Sequence, residues 1–210
     1  MSITIIIVIA TAIVSFIAFS NQKMMDDLIF DPVEITSQNQ WYRFFSCGLI
    51  HADIAHLAFN MISLYSFGTY VVESNFNYIF GSSGPWLYLA LYVISQFLCL
   101  LPTYFKNKDN YSYRSLGASG AVSAVVFAGI FLSPLQKMGL IFIPIGIPGF
   151  IFGFIYLAIT AYLDRKGGGS LNHSAHFYGA LSGIVLLIIF GYLFSPYDLL
   201  QNFITEIRSF

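Results

Sequence analysis

Charge is what this sequence has least of. Its 210 residues include nine Lys and Arg and ten Asp and Glu, 9% of the chain, for a net charge of −1. An ordinary soluble domain carries about 25% charged residues. So few charges cannot cover a water-facing surface, which excludes a soluble globular enzyme. A hydrophobic fraction of 57% excludes a disordered chain. The missing basic excess excludes a nucleic-acid binder, which needs a cationic footprint. Cysteine is also scarce. Cys47 and Cys99 cannot build a multi-bridge disulfide framework, and no CxxC pair suggests a zinc site. Cys99 stands in an apolar run and reads as a small buried hydrophobe. What remains is an integral membrane protein, read as a single membrane-embedded domain over residues 1–210.

A bilayer-spanning helix needs about 20 mainly apolar residues. Six stretches qualify as candidates: Ile3 to Phe19, Ile54 to Val72, Trp86 to Phe105, Gly117 to Leu132, one within Gly139 to Leu163, and Ala175 to Phe194. The first lacks a basic n-region and reads as a retained anchor rather than a cleaved signal peptide. In the fifth, Pro144 and Pro148 should precede the regular helix. The runs are too long and too continuously apolar for barrel strands, which alternate. The expected fold is therefore all-α, a bundle of six transmembrane helices. Loop 1, Ser20 to Asp53, is the longest. Its Trp41, Tyr42, Phe44 and Phe45 beside Arg43 suggest a segment lying in the membrane interface. Loop 5, Asp164 to Ser174, holds Gly167, Gly168 and Gly169, a flexible connection ahead of the last span.

Polar groups inside spans are costly and mark functional candidates. The four histidines fall in two places. His51 and His56 lie where the second span begins, and His173 and His176 where the sixth begins. Ser119 lies at the start of the fourth. In an up-and-down bundle, spans two, four and six enter from the same side. Polar residues in their first two turns share one leaflet, which puts His56, Asn60, Ser119 and His176 at similar depth. His56 and Asn60 are four apart and share a helix face. Gly117 and Gly120 flank Ser119, and Gly179 and Gly183 lie on the face of His176; small residues there allow close helix packing. Together these supply a serine nucleophile, a histidine base and a donor cluster for an oxyanion.

Each element also has a plainer reading. A serine in a transmembrane helix commonly bonds its own backbone. Interfacial histidines such as His51 and His173 commonly serve structure. A metal site is the rival use of four histidines, but no HExxH pair occurs and no acidic residue other than Asp53 lies near these span starts. Neither a metal nor another cofactor is expected. A transporter would place charges or broken helices at the bilayer midplane, and the sixth span has neither.

The residues resemble the rhomboid family of intramembrane serine proteases, in its minimal six-helix form. The resemblance rests on His56-Leu-Ala-Phe-Asn60, Gly117-Ala-Ser119-Gly120, and Ala175-His176-Phe-Tyr-Gly179 with Gly183. Trp41-Tyr42-Arg43 is similar to the family's loop-1 signature, and Glu73 stands at a further family position. The resemblance implies Ser119 as nucleophile and His176 as general base. It implies an oxyanion hole from His56, Asn60 and the Ser119 backbone N–H. The implied substrates are transmembrane segments of other membrane proteins, within the lipid bilayer, with entry by movement of the fifth span. A catalytically inactive relative that binds transmembrane clients is the alternative. Some members stack an aromatic, one turn after the nucleophile, on the base. Here Ser123 takes that position, so His176 is expected to be oriented by Tyr178 or its neighbours. Loops 1, 3 and 5 carry seven Lys and Arg (Lys23, Arg43, Lys106, Lys108, Arg114, Arg165, Lys166) against Lys137 and Arg208 opposite. That bias alone puts the serine side in the cytoplasm. The resemblance implies the opposite orientation, in a cell inner membrane, and is the reading followed.

Overall fold

The computed structural model describes residues 2–140, 143–166 and 172–210, with side chains of 139–145 not described. Helices dominate. In chain order they are α1 (Ile3–Phe19), α2 (Gln22–Leu28), α3 (Pro32–Gln38), α4 (Arg43–Ser46), α5 (Ile54–Leu64), α6 (Ser74–Phe80), α7 (Gly84–Leu98), α8 (Leu101–Asn107) and α9 (Ser119–Leu132). A two-stranded hairpin follows, β1 (Lys137–Leu140) and β2 (Ile143–Pro148). Then come α10 (Gly149–Lys166), α11 (His173–Phe194) and α12 (Leu199–Arg208).

Helix starts are written locally. Ser2, Asn21, Asp31, Asp53, Asn172 and Asp198 are N-caps whose side chains accept backbone N–H groups of the first turn. Pro32 sits in the first turn of α3, where its missing N–H costs nothing. The expected third span is broken. α7 stops at Leu98, and Pro102 stands in the first turn of α8, since proline cannot continue the hydrogen-bond ladder of the preceding helix. The expected second span does not end at Val72. α5 passes into a π-helical stretch, Tyr65–Glu73, and continues through α6.

Two features depart from the expected all-α bundle of six helices, a strand pair and a further helix. The apolar run after α9 first makes an antiparallel hairpin, with Lys137 opposite Pro148 and Met138 opposite Ile147, before α10 begins. Pro144 and Pro148 indeed precede the helix, in β2. The chain also adds α12, whose Phe203 stacks on Phe131 at 4.5 Å. Two helical stretches, Ile54–Asn107 and His173–Phe194, are long and apolar enough to cross a membrane. Ile3–Phe19 and Ser119–Leu132 are shorter apolar helices. The six expected stretches overlap α1, α5 and its continuation, α7, α9, α10 and α11, but by length and apolarity only Ile54–Asn107 and His173–Phe194 qualify as spans among the described residues. The triple glycine of loop 5 lies outside the described residues.

α9 is the central helix, buried on nearly every side. Its most extensive partner is α11. Glycine makes that pairing possible. A Cβ on Gly179 would run into the carbonyl oxygen of Gly120, and one on Gly183 into that of Ala124. The two backbones therefore touch directly, which only a residue without a side chain permits. Outward faces are apolar: Ile9, Ile13 and Phe16 of α1, Phe154 and Ile159 of α10, Val185 of α11. Glu73 ties the far end of the second span to α1. Its carboxylate accepts from the Ser2 and Thr4 hydroxyls at 2.6 and 2.9 Å and from the Ile3 N–H at 3.0 Å.

Loop 1 is a folded unit. Arg43 is buried; its Nε donates to Gln40 Oε1 at 2.6 Å, and Nη1 donates to the carbonyls of Asp26 and Ile29 at 2.8 Å each. Trp41 stacks on Phe44 at 5.7 Å, and Phe44 is buried against Phe30, Phe97 and Tyr104. Arg114 donates to the buried Asp31 at 2.9 Å, and Phe30 pairs with Ser115 in an isolated β-bridge. These contacts hold the strand of chain that leads into Ser119. Trp41 and Arg43 thus hold loop 1 together through contacts within it and with α8.

Candidate active site

Residue by residue, the site assembles from three helix starts. Gly117 has φ +110°, a conformation that L side chains rarely adopt, and its N–H donates to the Cys47 carbonyl at 2.9 Å. A Cβ there would stand 2.7 Å from the His56 ring. Gly117 therefore turns the chain and leaves room for His56 beside it. Ser119 follows as the first residue of α9. On α11, Asn172 caps the helix by accepting from the Ala175 N–H at 3.0 Å, and it accepts from Thr103 at 3.2 Å. His176 sits one turn in. Gly120 and Gly179 let the two helices close, and His176 Nε2 lies 2.7 Å from Ser119 Oγ. That is within the range expected of a nucleophile and its base.

His56, Asn60, Ser119 and His176 line one cavity of about 740 Å³. All four residues expected at one depth are brought together. Asn60 is buried, and its Nδ2 donates to the His56 carbonyl at 3.0 Å. Behind Ser119 lies a second, very small cavity of about 10 Å³, bordered by Gln96, Asn172, Gly117 and Cys99. Both cysteines are buried free thiols on its wall.

The orientation of His176 differs from expectation. Tyr178 is exposed and packs edge-on to Phe177 at 5.4 Å. The His176 ring instead packs edge-on to His173 at 6.2 Å. Its one ring hydrogen bond among the described residues goes to Ser119. The space one turn below the serine is filled from another helix. Tyr156 of α10 brings its hydroxyl to 3.0 Å from Ser123 Oγ, and Tyr156 and Ser123 both line the large cavity. Nothing in the spacing of residues 33 apart announces that pair.

His51, ahead of α5, has a defined structural part. It is fully buried. The Ala118 N–H donates to its Nε2 at 3.4 Å, so its proton sits on Nδ1, which faces Ser15 Oγ at 3.0 Å; Ser15 in turn donates to the Leu49 carbonyl at 2.9 Å. The ring also packs edge-on against His56 at 4.9 Å. Burial, and next the neighbouring His56, push its pKa down to about 4. In the unfolded chain histidine titrates near pH 6.5. Between those values the unfolded state binds the extra proton, so stability is complete above about pH 6.5 and declines as the pH falls toward 4. Thermal unfolding in detergent should show a Tm lower at pH 4.5 than at pH 7.5. His51→Gln should start lower and lose part of that slope; an unchanged slope would remove His51 from this account.

Among the described residues no group of three His, Cys, Asp or Glu could hold a metal ion. The arrangement is a serine and a histidine in hydrogen-bond contact on the wall of one cavity. Comparison with known sequences supports a kinship. The sequence model of the Rhomboid domain matches residues 38–193. RHOMBOID-like protein 12, mitochondrial, of Arabidopsis thaliana is 29% identical over 178 residues, 77% of this chain and 50% of that protein. Rhomboid-like protein 11, chloroplastic, of the same plant is 30% identical over 157 residues, 70% of this chain and 51% of that protein. The presenilin-associated rhomboid-like protein, mitochondrial, of Rattus norvegicus is 34% identical over 141 residues, 64% and 34% of the two chains. The matches thus cover between 34% and 51% of the length of these relatives. Their names place them in mitochondria and chloroplasts and give the expected cell inner membrane no support.

Proposed function

The chain belongs to the rhomboid family, and from that premise we propose that it is an intramembrane serine endopeptidase acting on transmembrane segments of other membrane proteins. The observation that carries this reading is the 2.7 Å contact between Ser119 Oγ and His176 Nε2, two residues 57 apart in sequence, inside a cavity shared with His56 and Asn60. The protein is integral to a membrane. We take α1, α5 with its continuation, α7, α9, α10 and α11 as six spans of one domain.

The chemistry follows from the pair. His176 Nε2 takes the Ser119 proton as Oγ attacks the scissile carbonyl carbon. The carbonyl oxygen becomes an oxyanion, held by the Ser119 backbone N–H, the His56 ring and Asn60. Asn60 must turn its amide from the His56 carbonyl to do so. His176 then gives its proton to the leaving amine, the C–N bond breaks, and an acyl-Ser119 ester remains. Water, deprotonated by His176, attacks the ester and returns the serine. With no carboxylate partner for His176 among the described residues, we read the machinery as a dyad. A helix hides its carbonyls, so the substrate must unwind locally before attack. A second reading, client binding without cleavage, expects a missing serine or histidine; here both are present and in contact.

Orientation is part of the proposal. Three of the seven cations on the serine side are tied to protein partners: Lys23 to Asp27, Arg114 to Asp31, and Arg43 to Gln40 and backbone carbonyls. Discounting them leaves four against two and weakens the charge bias; we place the serine side away from the compartment of synthesis. The reading is tested by a fluorophosphonate probe, which phosphonylates only an activated serine. Labelling of the wild type that disappears in Ser119→Ala and falls sharply in His176→Ala is expected. Labelling that persists in Ser119→Ala would overturn the assignment.

A further inference from the structure

The cavity that holds the dyad is a long groove. Its wall follows α9 from Ser119 through Val122 and Val126 to Ser133. Ser133 lies fourteen residues beyond Ser119, and at a rise of 1.5 Å per residue the groove runs about 21 Å. That is a large part of the roughly 30 Å hydrocarbon thickness of a bilayer. The opposite wall is Phe59, Ser63 and Phe67 of the second span, and α10 contributes Phe152 and Tyr156. Apolar groups, hydroxyls, the Asn60 and Gln136 amides and the His56 and His176 rings make up the lining, and among the described residues no Asp or Glu belongs to it. One fully charged residue does: Lys137, at the end opposite the dyad.

Lys137 is placed there by the fold. It opens β1, paired with Pro148, in the register that leads into α10. Its stem lies across Gly146, where a Cβ would stand 3.1 Å from the Lys137 Cβ and 3.5 Å from its Cδ. A larger residue at 146 would crowd the stem. The ammonium is therefore an exposed cation, held at the mouth of an apolar groove that begins at the nucleophile. In a region of low dielectric a cation of this kind favours an occupant that brings an anion and disfavours one that brings a second cation.

We propose that Lys137 is a specificity-determining residue: the groove prefers transmembrane substrates with an acidic side chain about 20 Å from the scissile bond, counted into the membrane. This rests on the proteolytic reading above. For a helical segment that distance is roughly 14 residues, with the reach of the lysine widening it by a few on either side. A lipid phosphate shares the carboxylate's chemistry. The substrate is the occupant chosen here because a segment engaged at Ser119 follows the groove and necessarily brings its far flank to Lys137.

The test uses the full chain in phosphatidylcholine vesicles and one transmembrane substrate with Asp, Asn or Lys at that position. The Asp form is expected to have a kcat/KM about three- to five-fold above the Asn form, the upper range for an exposed ion pair. The Lys form should fall below both, with the differences carried by KM. Lys137→Gln flattens the series, and Lys137→Glu inverts it. An Asp preference that survives in Lys137→Gln, or none in the wild type, overturns the proposal. So does a Lys137 effect that follows added phosphatidylglycerol and ignores substrate charge. Binding of the same substrates to Ser119→Ala, read by fluorescence transfer, separates the two readings. A charge-graded affinity without cleavage by the wild type sinks the protease assignment and keeps the groove; equal affinities alongside normal cleavage do the reverse.

Discussion

Ser119→Ala is expected to lower cleavage of a transmembrane substrate by at least about 10⁴-fold while leaving the fold intact, and His176→Ala to cost about as much. Among the described residues Ser119 Oγ has one partner, the His176 ring, so its removal leaves no large cavity and breaks no scaffold bond seen there. The double substitution should be hardly worse than either single one, because the two side chains act as one unit: a base without its nucleophile accomplishes nothing, nor does the reverse. Single-turnover rates in detergent, with matched unfolding curves, check this. Multiplicative losses in the double variant would mean that the two residues act in separate steps. His56→Ala should be milder, about 10²- to 10³-fold, as for loss of one oxyanion donor.

The second large effect lies in the helix contact beneath the dyad. Gly183→Val and Gly179→Val are each expected to lower stability by about 3 kcal/mol or more, at or beyond the usual upper range for overpacking. The obstacle in each case is a backbone carbonyl, of Ala124 or Gly120. A carbonyl inside a buried helix cannot swing aside as a flexible side chain can. α9 and α11 must therefore separate. Because Gly179 is three residues from His176, separation also lengthens the Ser119–His176 contact, so activity should fall even where the protein stays folded. Gly153→Ala is the control. Its Cβ would meet Phe127 at 3.4 Å, an ordinary contact, and the change should alter Tm by little. A Tm of Gly183→Val within a degree or two of wild type would refute the close approach of the two helices.

The helix ends that carry the site could be read from the chain. Apolar runs ended by small polar residues gave α1, α9 and α11 to within two residues. A shared side of entry for spans two, four and six brought His56, Asn60, Ser119 and His176 to one depth, where the structure has them lining one cavity. Other features left no trace in periodicity. The stretch from Lys137 to Pro148 is continuously apolar apart from its first residue, and such a run reads alike as part of a span or as a strand pair. Within the π-helical stretch Tyr65–Glu73, Gly68 lies close against Thr4 and Tyr88, a contact between three elements that no local pattern signals. α12 is the exception: Leu199, Phe203 and Ile207 recur at helical spacing behind the Asp198 cap, a legible signal that lay beyond the last expected span. The Ser123–Tyr156 bond joins two helices whose register no local signal fixes. In this chain local chemistry announced the capped helix starts, and tertiary packing decided what lies between them.

The central claim is that Ser119 attacks a peptide carbonyl within the membrane. Its most direct measurement is the reconstitution of the wild type and Ser119→Ala in liposomes with a single-span substrate, the product ends being identified by mass spectrometry. The account predicts one main cut in or beside the span for the wild type and none for Ser119→Ala. A cut that persists in Ser119→Ala would contradict it, as would a folded wild type that leaves a range of spans whole.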